Sequence, residues 1–309
     1  SFRVKVIEDN DAKVLALRSG EIDAIIGSSR LSYDAYGELS SDNSYGTSVD
    51  ETASTTRYLG LNLSTTPFND VRVRKAVAYA LDQDTLCSII FQGIEQSAET
   101  LFESDKPYCS VKQTTYSFDL DKANELLDEA GWIDRDGDGV REKDGQTLVF
   151  TMLYKQSSGS LDDAALTIAS QLAQIGFSTT TAGTDTMTWY EAAGSGNYKI
   201  IMAQTYGGAY DPTTVMTNMN IDVSTDYIFM QISSMLKDGN ALLIELDSTS
   251  DLERVQEIYA ETLETIADQA LVIPVSYTRE FAAWNENIIS DYDFYPDSLY
   301  INIEGIHIG

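Results

Sequence analysis

Between Leu148 and Ala203 the chain switches repeatedly between two hydrophobic periods, and this alternation limits the fold more than any other feature. Leu148 to Leu153 reads as a strand, and Leu161 to Ile175 as a helix stopped by Gly176. Phe177 to Thr181 reads as a strand, Trp189 and Tyr190 fall in a short helix, and Lys199 to Ala203 is a further strand. Apolar residues repeating every second position, then every three or four, then every second again, are the mark of α/β units. The rhythm recurs outside this stretch. Val4 to Ile7 reads as a strand, Asp11 to Arg18 as a helix closed by Gly20, and Ile22 to Ile26 as a buried strand. Leu252 to Ala270 predicts a long helix and Leu271 to Tyr277 a returning strand.

Asp70 is a good N-cap for a helix that places Val73, Val77, Ala80 and Leu81 on one face. Arg72, Arg74 and Lys75 then lie off that face. Cations in a first turn oppose the helix dipole, so an acidic neighbour is expected to compensate. A second helix is predicted from Asp84 to Phe91, ending at Gly93. Residues 119–130 form an amphipathic helix with Leu120, Ala123, Leu127 and Ala130 inward, Ser117 near its start and Gly131 at its end. Ser40 to Ser48, rich in Ser, Asp and Asn, reads as a surface loop.

At 309 residues and 43% hydrophobic content the chain can bury a sizeable core. Its 49 acidic against 20 basic residues give a formal charge of -29. That field repels phosphates and anionic headgroups, which excludes nucleic acid as a partner and weakly favours cationic or neutral ligands. No apolar run is long enough to cross a membrane, and no signal peptide is visible. A chain opening directly on a strand is expected to be a piece of a longer protein whose start held the export signal. Cys87 lies in an apolar helical pattern and reads as a buried thiol, while a Cys87–Cys109 disulfide is open in an oxidising compartment.

Catalytic chemistry has little to work with. His307 is the only histidine, so a His-based triad or metal cage is excluded. No Gly-rich nucleotide motif, HExxH or GxSxG occurs. With 49 acids a carboxylate pair somewhere is inevitable, which leaves a carboxylate-based hydrolase as a distant alternative. Asp134, Asp136 and Asp138 with Gly139 match the first half of a calcium-binding loop, but Gly145 stands where the bidentate Glu belongs. A turn is the plainer reading, and calcium a weak candidate. The segment Thr205-Tyr206-Gly-Gly-Ala-Tyr210-Asp211-Pro212 follows a buried strand and precedes a helix, where α/β folds place ligands. Its two tyrosines offer flat faces and hydroxyls to a small solute.

The run Asn69-Asp-Val-Arg-Val-Arg-Lys-Ala-Val-Ala-Tyr-Ala-Leu-Asp82 resembles the signature of family 5 extracellular solute-binding proteins, the peptide and nickel receptors of ABC importers. Leu17 to Asp23 and Lys122 to Trp132 resemble further elements of that family. Gly27 to Tyr36, Gly93 to Phe102 and Tyr206 to Pro212 are similar to its nickel-binding branch. The resemblance implies a two-lobed α/β fold of the type II periplasmic-binding-protein (Venus flytrap) kind with its first lobe incomplete. Residues 1–57 and 278–309 would belong to the first lobe, and 58–277 would form the second. It implies a receptor that is not an enzyme and has no cofactor of its own. The receptor captures nickel as a small-molecule chelate, or else a peptide, and passes it to ABC permease subunits. The location would be extracellular, periplasmic or cell-surface, with membrane contact only through a lipid anchor outside this chain.

By the same resemblance Tyr206 falls on the nickel receptor's ligand-stacking Trp, Tyr210 on its ligand-lining Tyr, and Ser224 on the His that reaches the metal. A hydroxyl is a poor nickel ligand beside imidazole, so a preformed chelate is expected rather than direct coordination. Peptide receptors of the family anchor the peptide amine with an Asp where this chain has Gly208. An incomplete first lobe predicts weak or no solute binding by these 309 residues alone.

Overall fold

The computed structural model describes residues 2–27, 31–156, 160–207, 211–295 and 300–309. In chain order its first elements are α1 (Asn10–Arg18), β1 (Ala24–Ile25), α2 (Tyr33–Ser40), β2 (Tyr45–Leu61), α3 (Val71–Tyr79), α4 (Gln83–Thr85), β3 (Gln96–Ser97) and α5 (Leu120–Glu129). Then follow β4 (Glu142–Lys143), β5 (Gln146–Thr147), β6 (Val149–Lys155), α6 (Ser160–Ala173), β7 (Ser178–Thr184), α7 (Thr186–Ser195) and β8 (Ile200–Gln204). The last are α8 (Pro212–Thr217), α9 (Tyr227–Ser233), α10 (Asn240–Ser248), α11 (Leu252–Asp268), β9 (Val272–Asn285), β10 (Ile289–Tyr292) and β11 (Ile306–Ile308).

The main sheet runs in the order β1-β9-β2-β8-β6-β7, with β3 added to β9. Its spine is the antiparallel pair β2 and β9, joined from Tyr45 opposite Asn285 to Gly60 opposite Val272. The register shifts between Val49 and Ala53, between Ala53 and Thr55, and between Arg57 and Tyr58. At one end β8 pairs antiparallel with β2, and β6 runs parallel to both β8 and β7. The expected strand–helix–strand rhythm is thus a parallel group whose three strands each lead into a helix. Gly176, at φ +85, makes the tight reversal from α6 into β7 that an L side chain rarely tolerates.

One large core runs through the sheet, including Leu59, Leu61, Phe68, Val77, Leu127, Ile200, Phe229 and Ile258. A small separate cluster of Ala282, Trp284, Ile289 and Tyr292 lies where β9 leaves the main core. Both cysteines are buried and free.

Several local expectations change. Residues 2–9 form no strand, since no described strand runs beside them to pair their backbone, and Val4 and Val6 are 65% and 83% exposed. Ser40 to Ser48 is only partly loop, because Tyr45, Gly46 and Thr47 already pair with Asn285, Trp284 and Ala283. Its polar composition concealed a half-exposed strand. Asp84 to Phe91 divides into α4 and a π-helical turn, Leu86–Ile90. Asp119 caps α5 by accepting from Lys122 N at 2.9 Å. Asp70 caps α3 as expected, accepting from Arg72 N at 2.9 Å, and it also pairs with the Arg72 guanidinium. Lys75 lies 3.7 Å from Asp268. Arg74, expected off the apolar face, is instead buried, with Nη1 donating to Phe68 O and Nε to Gln269 O, both at 2.9 Å. Burial pulls its pKa down to about 10.

Candidate functional site

The carboxyl ends of the parallel strands open on a cavity of about 570 Å³. β6 delivers Tyr154 and Lys155 to its wall, β8 delivers Gln204, and Thr205 and Tyr206 follow directly from its end. α7, which follows β7, contributes Trp189, Tyr190, Ala193 and Gly194, while β2 contributes Arg57 and Tyr58. Asn218, Thr225 and Asp226 complete it from the segment between α8 and α9. The position follows from topology. Parallel strands ending side by side, each followed by a helix that turns away, leave a crevice above the sheet.

Local contacts fix the aromatic wall. Asp185 caps α7 by accepting from Met187 N and Thr188 N at 3.0 and 3.1 Å. The Trp189 indole N–H donates to Met202 O at 3.2 Å, and the Trp189 and Tyr190 rings meet edge-on at 5.2 Å. Tyr154 lies over Gly183 of the neighbouring β7, where a Cβ would stand 2.9 Å from its hydroxyl. Phe229 of α9 packs against both Tyr58 and Tyr206, at 5.5 and 6.0 Å between ring centroids.

Three charged side chains reach this cavity. Arg57 forms a buried pair with Glu95, Nη2 to Oε1 at 2.7 Å and Nε to Oε2 at 3.3 Å. The Tyr33 and Ser276 hydroxyls also donate to Glu95, and the guanidinium lies 5.0 Å from the Phe91 ring centre. Burial pushes the Glu95 carboxyl up, but the Arg57 charge and these donors outweigh it and hold Glu95 below its ordinary 4.5. Asp226 shows the opposite balance. Burial raises its carboxyl above the ordinary 3.8, although Ile228 N and the Tyr206 hydroxyl donate to it at 2.9 and 3.1 Å. Lys155 lies with its ammonium 6.0 Å from the Trp189 ring centre and 5.7 Å from that of Tyr190.

Of the residues singled out in the sequence, Tyr206 lines the cavity. Tyr210 lies outside the described residues. Ser224 is absent from the lining, though its neighbour Thr225 belongs to it. Its hydroxyl is taken up locally, accepting from Asp226 N at 3.0 Å in the turn that starts α9. Asp134, Asp136 and Asp138 do converge, with one carboxylate oxygen from each lying within 4.8 Å of the others, all exposed. Those oxygens accept from their own loop: Asp134 from Gly137 N and Gly139 N, Asp136 from Asp138 N, and Asp138 from Val140 N. His307 is on β11, where Asp293 holds it at 2.7 Å. Sequence reasoning missed Tyr58, Tyr154, Lys155 and Asp226 as wall residues. The available signal for two of them was position, since Tyr154 and Lys155 come just after a predicted strand that leads into a helix.

The structure is thus an α/β sheet whose parallel strands end at a ring-walled cavity. The chain belongs to the bacterial extracellular solute-binding proteins, family 5, whose "family 5 Middle" sequence profile matches residues 1–226. It is 28% identical over 276 residues to the nickel-binding periplasmic protein of Escherichia coli (strain K12), covering 88% of this chain and 52% of that relative. It is 24% identical over 308 residues to the oligopeptide-binding protein AppA of Bacillus subtilis (strain 168), covering 97% and 54%. The chain therefore spans about half the length of the curated relatives it matches. Among solved structures, NikA from Brucella suis in complex with Fe(III)-EDTA superposes with a TM-score of 0.89 at 27% identity, covering 99% of this chain and 61% of that one. These neighbours have the type II periplasmic-binding-protein fold, and this chain shares it. No described helix is long and apolar enough to cross a membrane.

Proposed function

We propose that this chain forms part of an ABC-importer receptor that captures nickel as a small-molecule chelate in the cavity between β6, α7 and β8. The supporting observation is the wall itself. It consists of rings, amides, hydroxyls and three charged groups, with no histidine or cysteine among its described residues. Such a wall offers a bare nickel ion poor donors, whereas a chelate brings its own and needs only flat surfaces and hydrogen bonds. Tyr206 would stack against the bound chelate, Tyr210 would line the site beside it, and Ser224 would support the wall through Asp226. The relative named for nickel, and the solved relative that holds a metal chelate, favour this cargo. Residues 1–57 and 278–309 would form one lobe and 58–277 the other, with permease subunits as the receiving partners.

A peptide cargo is the second reading, and Asp226 favours it. It puts a carboxyl at the cavity, able to meet a ligand amine, in a chain with glycine where peptide receptors of the family place their Asp. Calorimetry on the natural full-length protein separates the two. The arms are Ni²⁺ alone, Ni²⁺ with excess L-histidine, and a mixture of di- and tripeptides. A ligand at 100 times its dissociation constant adds about 2.7 kcal/mol. A gain only with Ni²⁺ plus histidine supports chelate capture, a gain with peptides alone transfers the protein to the peptide branch, and a gain with neither overturns both.

A further inference from the structure

Tyr206 reaches the cavity wall at a point where the backbone has already left the sheet. We infer that Asp226 acts on the solute through Tyr206, its carboxylate holding that ring in the orientation that receives the solute. Asp226 is then a positioning residue. The inference rests on the cargo reading above, in which Tyr206 is the stacking ring.

The need for a holder follows from the chain path. β8 ends at Gln204, and Tyr206 lies two residues beyond it, half-buried and lining the cavity. Gly207 follows at φ +122, a conformation that L side chains rarely adopt. No ladder or helix runs on through this turn, so side-chain contacts must fix the ring.

Two contacts do so, and both come from the start of α9. The Tyr206 hydroxyl donates to Asp226 Oδ2 at 3.1 Å. The Phe229 ring meets the Tyr206 ring edge-on, with 6.0 Å between centroids and 73° between planes. Asp226 is the N-cap of α9 and Phe229 lies three residues on, so the two project from one side of the helix. One holds the ring by its tip and the other by its flank.

The holder is itself held. Asp226 Oδ1 accepts from Ile228 N at 2.9 Å as the helix cap, which directs Oδ2 to the hydroxyl. Ser224 Oγ accepts from Asp226 N at 3.0 Å and steadies the backbone of the same turn. A hydrogen bond to an ionised carboxylate is stronger than one to a neutral acceptor, so the tether is a firm one. An untethered tyrosine samples several rotamers and loses that freedom when a solute lies on it. A ring fixed at both Cβ and hydroxyl has lost it beforehand.

The test is a double-mutant cycle in solute affinity, read by isothermal titration calorimetry on the natural full-length protein. The probes are Ni²⁺ with excess L-histidine and trialanine, and the cycle uses whichever the wild type binds. Asp226→Ser keeps the helix cap but is too short to reach Tyr206, and Tyr206→Phe keeps the ring but removes the hydroxyl. Each should weaken binding about three- to tenfold, the cost of ordering one freed side chain. The double variant should bind no more weakly than either single one, because both break the same tether. Asp226→Asn, which caps the helix and still reaches the hydroxyl, should stay within about twofold of wild type. Four results overturn the inference and leave the cargo reading standing. They are Asp226→Ser without effect, Tyr206→Phe without effect, Asp226→Asn as damaging as Asp226→Ser, and a further loss when Asp226→Ser is added to Tyr206→Phe. The last would place Asp226 in direct contact with the solute, as the peptide reading has it. Wild type that binds neither probe overturns both.

Discussion

Arg57 and Lys155 line the same cavity, yet the fold treats their charges in opposite ways. Arg57 sits where β2 pairs with β9 and is matched completely: a bidentate acid, two hydroxyls donating to that acid, and a ring beneath the guanidinium. Lys155 sits where the parallel strands end, and among the described residues only rings meet it. Asp226, on the same wall, is half-buried, and no cation among the described residues pairs with it. A charge cancelled inside the protein holds elements together, here tying α2, β2 and β9 to the segment before β3. A charge left uncancelled at a cavity wall costs stability unless a ligand completes it. The difference marks the paired strands as scaffold and agrees with the strand ends as the proposed place of binding.

The largest effect is expected at the scaffold. Glu95→Ala leaves the Arg57 guanidinium buried and unpaired, and should destabilise by roughly 3–5 kcal/mol in urea unfolding. A loss under about 1 kcal/mol would place Arg57 with Lys155 rather than opposite it. Next comes Asp226→Asn. Asn also caps a helix and still accepts from Tyr206, so the substitution removes only the desolvated charge. Unliganded stability at pH 7 should rise, on the order of 1 kcal/mol.

The pH dependence of these two acids has opposite signs. Asp226 is raised above 3.8, so its favourable protonated state is fully present below that pH and lost as pH rises through the shifted value. The gain from Asp226→Asn should therefore vanish near about pH 3.5. Glu95 is lowered below 4.5, so its contribution is present above that pH and lost only as pH falls through the lowered value. Unfolding curves at both pH values check both signs. Lys155→Met, with no carboxylate partner to lose among the described residues, should shift unliganded stability by no more than about 0.5 kcal/mol.

Two smaller effects sharpen the contrast between used and unused groups. Burial pushes both the Cys87 and Cys109 thiols up to about 12, so neither should react with iodoacetamide at about pH 8 until the protein unfolds. Labelling read by mass spectrometry before and after denaturant decides it. The acidic turn at Asp134, Asp136 and Asp138 already caps its own backbone, and 1 mM Ca²⁺, a concentration at which weak extracellular sites load, should leave the thermal midpoint unchanged. A rise of several degrees would make the turn a metal site.

Long, strongly periodic elements were legible in the sequence. α6 and α11 came out nearly to their observed ends because apolar residues repeat over several turns and glycine or a returning strand closes them. The first residues of β2 were read as part of a surface loop, since they alternate weakly and owe their conformation to β9. Arg74 was misjudged because helical spacing marks an arginine as solvent-facing, while the carbonyls of Phe68 and Gln269 that accept its burial come from elsewhere in the chain. Tyr206 was found at the cavity from its place after a buried strand. Asp226 was not, because nothing local separates it from the other acids, and Lys155 carried only its position just after a predicted strand.

By itself the sequence determined the class of the protein. Its periods, caps and glycines specify α/β units through interactions a few residues long, and its motifs identify the solute-binding family. Only the tertiary structure decided which charges are spent and which are left over. Arg57 meets Glu95 across 38 positions and Tyr33 meets Glu95 across 62. Lys155 meets Trp189 and Tyr190 only because β6 and β7 lie side by side in parallel. Whether a charge is neutralised depends on what lies within a few ångströms of it, and the fold alone sets those distances.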